Sequence, residues 1–200
     1  MLISGNPSAQ EQAIQTADGV WHGQGELGYV RTTGSSSTRT IGSKFTLNHQ
    51  RERWRNGGRL EALSSTNQDR QIAERYFAGF KTEYAIEDRD YVATIIEYED
   101  ERFSTYDYRI NHTFVFGRKF IEDSSVLFNG EAGVGSRRSR EESGAKQDDT
   151  TLRFGVNLNW TISQSASLTE EFNVIRGDED TATRSVTGLT TRINGRIATK

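Results

Sequence analysis

The chain has 200 residues, a formal net charge of -3, 33% hydrophobic residues and a mean hydropathy of -0.73. No stretch approaches the roughly 20 consecutive apolar residues that a spanning helix needs, which excludes a bundle of membrane helices. The weak negative charge predicts no nucleic-acid partner, and the lack of cysteine excludes a disulfide framework and a thiolate metal site.

Composition also argues against disorder, because 10% of the residues are aromatic and 19 glycines accompany a single proline. The many polar residues therefore need a place in a folded structure. A membrane β-barrel provides one, since only one face of each strand meets lipid and the other faces a polar lumen.

The chain divides into a short N-terminal segment and one domain. Residues 1–19 precede the first alternating segment and are predicted to be flexible and periplasmic. They lack the basic and apolar regions of a signal peptide, which indicates either a leader already removed or another compartment. Residues 20–200 are predicted to form one outer-membrane β-barrel, since no linker divides them.

Apolar residues recur at every second position in about ten segments. The pattern is clearest in the eighth segment, where Leu152, Phe154 and Val156 alternate with Arg153 and Gly155. It is weakest in the ninth and tenth segments. Such alternation predicts strands with one apolar and one polar face, but a soluble β-sandwich or lipocalin-like barrel would alternate too.

Segment length and connectors favour a membrane barrel over a soluble one. The segments run to about 10–15 residues, whereas soluble strands usually have roughly 5 to 10. Alternate connectors are polar and tend to be longer, the longest being the charged run Arg137–Asp149, which we expect outside the cell. We therefore predict an all-β, antiparallel up-and-down transmembrane β-barrel, with about 10 strands here and about 12 in the complete protein.

Aromatic residues sort to the two expected membrane interfaces. One girdle is predicted at the periplasmic rim, where outward-running strands begin and inward-running strands end. The second lies toward the opposite rim. The first comprises Trp21, Trp54, Tyr84, Phe116 and Trp160, and the second comprises Tyr29, Tyr98 and Tyr108.

The polar face of the segments carries charges of both signs and is predicted to line the lumen. Glu97 and Glu99 share this face, an arrangement that acid–base catalysis could use. A network of interior ion pairs that fills a narrow barrel explains them better, because opposite charges surround them. The predicted lining residues are Glu26, Lys44, Arg59, Glu61, Arg75, Lys81, Glu97, Glu99, Arg109, Glu131, Arg153 and Arg192.

Other motifs carry little chemistry. The run Gly23–Gly28 matches G-x-G-x-x-G but lacks the strand-then-helix context of a dinucleotide site, and its glycines are interpreted as relieving crowding inside the barrel or allowing a bend. The three histidines do not converge on a metal or a catalytic triad. The acidic run 178–180 lacks calcium-loop spacing. No cofactor, metal or catalytic residue is predicted.

An ordered set of motifs resembles the YdiY-type family of salt-induced outer-membrane proteins, which is defined by a domain of unknown function. The resemblance extends from about Val20 to the end of the chain and implies a Gram-negative outer-membrane barrel with no established activity. The matching stretches are Trp21–Val30 with the pattern W-x-G-x-x-E-L-G-Y-V, Arg53–Arg55, Ala73–Tyr76, Tyr98–Asp100, Arg102–Phe103, Tyr106–Tyr108, Gly130–Gly135 and Thr183–Thr187.

Compared with this family, the chain lacks the expected final strands and terminal aromatic residue, so closing strands are expected beyond Lys200. The leading hypothesis is a non-enzymatic barrel with a narrow charged lumen, acting as a porin-like small-solute channel or as an envelope structural or stress-response component. An outer-membrane hydrolase or ligand-binding barrel is the alternative. Expected partners are outer-membrane lipids, lipopolysaccharide and the barrel-assembly machinery.

Overall fold

The computed structural model describes residues 19–33, 37–68, 70–104, 106–141, 143–178, 180–194 and 197–199, with side chains described up to Thr191. Residues 1–18, most of the predicted N-terminal segment, lie outside the described residues. In the described part of the chain, no helix is long and apolar enough to cross a membrane.

All regular structure in the described residues is β-strand, and the long strands have 11 to 18 residues. The strands are β1 Trp21–Thr32, β2 Thr38–Arg51, β3 Trp54–Asn67, β4 Arg70–Ala85, β5 Asp90–Arg102, β6 Tyr106–Glu122, β7 Val126–Glu141, β8 Lys146–Ser163, β9 Ala166–Arg176, β10 Thr181–Asn194 and β11 Ile197–Thr199.

These strands form a single sheet in which each strand pairs with its neighbours in sequence. The pairs are antiparallel from β1–β2 through β10–β11. This meander confirms the predicted up-and-down fold class, and the alternating segments correspond to ten long strands followed by the short β11. The ninth and tenth segments, whose alternation was weakest, form β9 and β10.

The sheet has two distinguishable ends. At the Trp end, Trp21 and Trp54 begin β1 and β3, and Trp160 lies near the end of β8. At the Tyr end, Tyr29 and Tyr98 lie near the ends of their strands. Connectors have two to four residues at the Trp end and two to five at the Tyr end, so the predicted difference in connector length is wrong.

The predicted long charged loop at the Tyr end is wrong. β7 continues to Glu141 and β8 begins at Lys146, so most of Arg137–Asp149 is paired strand. The register places Arg137 opposite Asp149 and Arg138 opposite Asp148. Cross-strand pairing of opposite charges stabilises strand structure in a sequence that would otherwise be typical of a solvated loop.

The sheet curves, with its polar face on the inside. Lys81 on β4 contacts Glu131 on β7 across two intervening strands. In a flat sheet those strands would lie about 14 Å apart, since neighbours are spaced at about 4.8 Å. The outer face carries exposed apolar side chains, including Leu27, Phe154 and Leu189. The described strands thus form a half-barrel, apolar outside and polar inside.

A small apolar cluster interrupts the polar inner face at β5 and β6. Val115 is fully buried, and Ala93 and Ile95 pack with it. A Cβ atom added to Gly133 on β7 would lie 2.9 Å from the Cα atom of Val115. At Gly135 it would lie 3.0 Å from the Cα atom of Thr113. The two glycines therefore permit the tight approach of β6 and β7 that the curvature requires.

Candidate functional site: the charged inner wall

The strand register places charged side chains of both signs in one row on the inner face. Glu26 lies opposite Lys44, and Lys44 lies opposite Glu61. The row continues through Phe77 to Glu99 on β5 and Arg109 on β6. Alternating charge along a row favours neighbouring pairs over isolated buried charges.

The most buried acid of the inner wall is Glu131, whose side chain is 4% exposed. Its carboxylate accepts hydrogen bonds from Lys81 Nζ and, at 2.8 Å, from the Tyr91 hydroxyl. Asn129 Nδ2 donates to the same hydroxyl oxygen at 2.8 Å. Lys81 also contacts Glu83 at 2.9 Å. These residues, from β4, β5 and β7, form the Glu131 cluster near the Trp end.

Arg55 extends this cluster onto β3. Its guanidinium group contacts Glu83 at 2.8 Å and lies 5.4 Å from the centre of the Tyr91 ring. Tyr91 lies over Gly117, its register partner on β6. A Cβ atom on Gly117 would be 2.6 Å from the tyrosine hydroxyl oxygen and closer still to the ring carbons. Only glycine leaves space for this ring.

A second group lies midway along the wall, around Arg153 on β8. Arg153 Nη1 approaches Glu97 Oε2 at 3.5 Å, and Nη2 donates to Asn173 Oδ1 at 3.2 Å. Asn173 in turn donates to Glu171 at 3.0 Å. Arg153 Nε is buried with no hydrogen-bond partner among the described residues. The group therefore retains an unused donor facing the interior.

A third group lies toward the Tyr end. Arg75 contacts Glu99 at 2.6 Å, and Arg59 contacts Glu61 at 3.5 Å. Both Arg59 and Arg75 lie over the Phe77 ring, at 4.5 Å and 6.0 Å from its centre. Pairing and stacking together hold these long side chains against the wall.

Two arginines at the Tyr end share a carboxylate from the β9–β10 connector. Arg137 on β7 is 3% exposed and its Nη1 contacts Asp180 Oδ1. Arg109 Nη2 lies 4.0 Å from Asp180 Oδ2. Arg137 Nε also donates to Asn111 Oδ1 at 3.2 Å. The connector thus turns inward over this end of the wall.

The inner wall encloses a pocket of about 500 Å³, open to solvent. Six cationic and four acidic side chains line it, so its balance is slightly positive. Six asparagines contribute amides that can both donate and accept hydrogen bonds. They are Asn48, Asn56, Asn129, Asn157, Asn159 and Asn173. Such a lining suits a hydrated polar solute better than an apolar one.

The structure places all but one of the predicted lining residues on this inner wall. It brings Lys81 into contact with Glu131 and Arg153 with Glu97. Toward the Tyr end it pairs Arg75 with Glu99 and Arg59 with Glu61. The side chain of Arg192 lies outside the described residues. Sequence reasoning missed Tyr91 and Arg137 as members of the wall. Tyr91 lies at an even spacing from Ala93 and Glu97 along β5. The alternation of the strand could therefore have assigned Tyr91 to the inner face.

The predicted girdle residues lie at the two ends, on the outer face. Trp54 and Tyr84 are register partners with ring centres 4.9 Å apart. At the Tyr end, the Tyr98 and Tyr108 rings stack at 6.4 Å. The other members of the girdles have exposed side chains: Trp21, Tyr29, Phe116 and Trp160. Phe116 lies further from the end of its strand than the tryptophans do.

The glycine motif Gly23–Gly28 lies inside β1, without a helix. A Cβ atom on Gly25 would meet nothing within 4 Å, so crowding does not explain that glycine. The histidines are dispersed: His49 stacks on Trp21, and His22 lies opposite Asn48. No group of three metal-ligating side chains occurs among the described residues.

A meander with a charged concave face and an apolar convex face defines the fold of a transmembrane β-barrel. The fold resembles the solved structure of the NanC porin, with a TM-score of 0.50 and 12% identity over 87% of this chain and 83% of that one. The translocator domain of the autotransporter NalP from Neisseria meningitidis aligns with a TM-score of 0.46 and 14% identity over 94% and 82% of the two chains.

Residues 25–200 match the family described as "Protein of unknown function, DUF481". The chain belongs to this family. It is also 25% identical to the uncharacterized protein YdiY of Escherichia coli (strain K12), over 100% of this chain and 81% of that protein. The YdiY-type resemblance predicted from the motifs is therefore confirmed.

Proposed function

We propose that this protein is a non-enzymatic outer-membrane channel for small hydrophilic solutes. The observation that carries the proposal is the polar inner wall, whose charges are paired around a solvent-open pocket while apolar side chains cover the outside. A barrel that served only as an anchor would gain as much from an apolar, well-packed interior, since buried ion pairs contribute little net stability.

The charge pattern suggests how solutes would pass. Arg153 pairs with Glu97 and Lys81 pairs with Glu131 along the pocket, so charges of both signs are presented to a dipolar solute. Amides such as Asn157 and Asn159 provide exchangeable hydrogen bonds along the path. These amide and charged side chains therefore replace part of the solute's hydration without binding the solute permanently.

Several features support the non-enzymatic assignment and the location. The three histidines lie apart, and Glu97 is paired with Arg153 at 3.5 Å rather than with a second candidate catalytic group. The outer-face aromatics at both ends suit contact with outer-membrane lipids and lipopolysaccharide. A barrel of this class would be inserted by the barrel-assembly machinery.

Conductance in planar lipid bilayers tests the channel. The wild-type barrel should give discrete conductance steps. Arg153→Gln should shift the reversal potential in a salt gradient toward cations, because it removes an inner-wall cation. Arg138→Gln is the matched control, since Arg138 lies on the neighbouring strand and is 64% exposed beside Asp148. It should leave selectivity unchanged.

Absence of conductance from correctly folded protein would overturn the channel and favour a structural role in the envelope. Release of fatty acids from lipid by the purified barrel would overturn the non-enzymatic assignment in favour of a hydrolase.

A further inference from the structure

We propose that Arg109 and Arg137, the arginine pair, form a binding site for a soluble oxyanion at the Tyr end, and that Asp180 is its built-in competitor. The class of ligand is a small phosphate- or carboxylate-bearing solute. This proposal rests on the proposed function, because a dissolved anion can reach the arginine pair only if the interior of the barrel is filled with water.

The geometry of the arginine pair is that of an anion site. Two guanidinium groups on adjacent strands converge on one carboxylate, each approaching a different oxygen. Arginine is the residue most often used to recognise carboxylate and phosphate groups, because its planar guanidinium presents several donors to their oxygens. Asn111 fixes the Arg137 side chain through Nε, leaving the end of the guanidinium directed at the ligand.

Burial makes the site specific for charge. Arg137 is 3% exposed, so its cation needs a compensating anion far more than a surface arginine would. Arg109 Nε is buried without a hydrogen-bond partner among the described residues. Its ring contact with Tyr106, at 4.4 Å, holds the guanidinium in place without neutralising it. The arginine pair thus has donors to spare.

Asp180 is the acid that both members of the arginine pair contact. Glu99, opposite Arg109, is already bound to Arg75 at 2.6 Å, and Asp149 lies opposite Arg137. Withdrawal of Asp180 removes the carboxylate that the two guanidinium groups share, and a free oxyanion can take its place.

Asp180 is well suited to leave. Its side chain is 41% exposed, and the connector that carries it is held by a short turn in which Gly177 N donates to Asp180 O at 2.8 Å. A carboxylate on a surface connector can swing away without disturbing the paired strands. The connector therefore competes with solute anions for the arginine pair.

Phosphate titration of the folded barrel in detergent, followed by calorimetry, tests the site. If the connector is docked for nine-tenths of the time, Asp180→Asn should tighten the apparent affinity for inorganic phosphate by about tenfold. Asp178→Asn is the matched control, because it removes the same charge from the exposed side of the same connector. It should bind phosphate like the wild type.

The gain should disappear when Arg137→Gln is added to Asp180→Asn. Equal phosphate affinity in wild type, D178N and D180N would overturn the proposal, as would a gain that survives the loss of Arg137. Should D180N fail to fold, amide hydrogen exchange of the wild-type protein tests whether phosphate displaces Asp180. Phosphate should accelerate exchange of the Gly177 amide while chloride at equal ionic strength does not, and unchanged exchange overturns the site.

Phosphate binding requires no ion flux, so the two proposals fail separately. A barrel that binds phosphate through the arginine pair but never conducts overturns the channel alone. A barrel that conducts, with all variants binding phosphate alike, overturns the anion site alone.

Discussion

Replacing Glu131 by alanine should destabilise the folded barrel by about 3 kcal/mol, the lower end of the cost of breaking a buried ion pair. The lower end applies because Lys81 keeps its contact with Glu83 at 2.9 Å. The substitution also removes the acceptor of the Tyr91 hydroxyl, whose bond is 2.8 Å long. Asn129 remains beside that hydroxyl, so the tyrosine does not become fully unpaired.

The free energy of unfolding is measured by urea titration in lipid vesicles, with tryptophan fluorescence as the signal. Glu87→Ala is the matched control, since Glu87 is exposed in the β4–β5 connector and its change should stay within about 0.5 kcal/mol. Adding Lys81→Met to Glu131→Ala should recover part of the loss, because it removes the buried ammonium that is left with Glu83 as its remaining partner. A Glu131 effect no larger than that of Glu87 would refute the buried cluster.

Three further predictions concern other parts of the sheet. Gly117→Ala should cost about 2 kcal/mol or prevent folding, because its Cβ would meet the Tyr91 ring; urea titration measures this. Phe154→Arg should destabilise the vesicle-bound barrel by about 2 to 4 kcal/mol, whereas Asn157→Arg on the inner face should not. The Asp123 carboxyl should titrate below the usual aspartate range by NMR, since two backbone amides and a hydroxyl donate to it and lower its pKa.

These predictions have distinct failure points. Gly25→Ala, where an added Cβ meets nothing, should be close to neutral, and an equal loss at both glycines would contradict the Tyr91 packing. Equal costs for arginine at 154 and 157 would contradict the assignment of faces. Because its folded pKa is lowered, Asp123 stabilises the β6–β7 turn above the unfolded pKa, and this contribution is lost as pH falls through the folded value. If the Asp123 carboxyl titrates in the usual aspartate range, this stabilisation of the turn is contradicted.

The period-two pattern was enough to predict the strands and their faces. A strand admits only two side-chain directions, so once Leu152 and Phe154 are assigned outside, Arg153 must lie inside. The same parity correctly implied that Lys81 and Glu131 share a face. That they touch could not be read from sequence, because contact across two intervening strands depends on how sharply the sheet curves.

The close approach of β6 and β7 could not be predicted from the sequence, because it depends on the curvature of the sheet. Gly133 and Gly135 permit the close approach of the two strands, but a glycine in a strand does not by itself indicate a close approach, since a Cβ atom on Gly25 would meet nothing within 4 Å. The buried cluster of Val115, Ala93 and Ile95 lies beside this close approach. Alternation alone assigns Val115 to the polar face without explaining it.

The charged run at the Tyr end was misjudged because composition was read without pairing. Arg137 and Arg138 resemble loop residues until β8 supplies Asp149 and Asp148 opposite them. The partnership of Arg137 with Asp180 lies beyond sequence reasoning altogether, because a connector's direction is set by tertiary contacts rather than by a local pattern.

A membrane barrel of this kind requires the apolar face of its strands to meet lipid. Since the sequence has no cysteine, single cysteines can be placed at successive positions from 152 to 158 on β8 and spin-labelled in lipid vesicles. We predict that contact with oxygen dissolved in lipid peaks at 152, 154, 156 and 158, and that contact with a water-soluble nickel reagent peaks at 153, 155 and 157. A reversed or uniform pattern would contradict the membrane barrel.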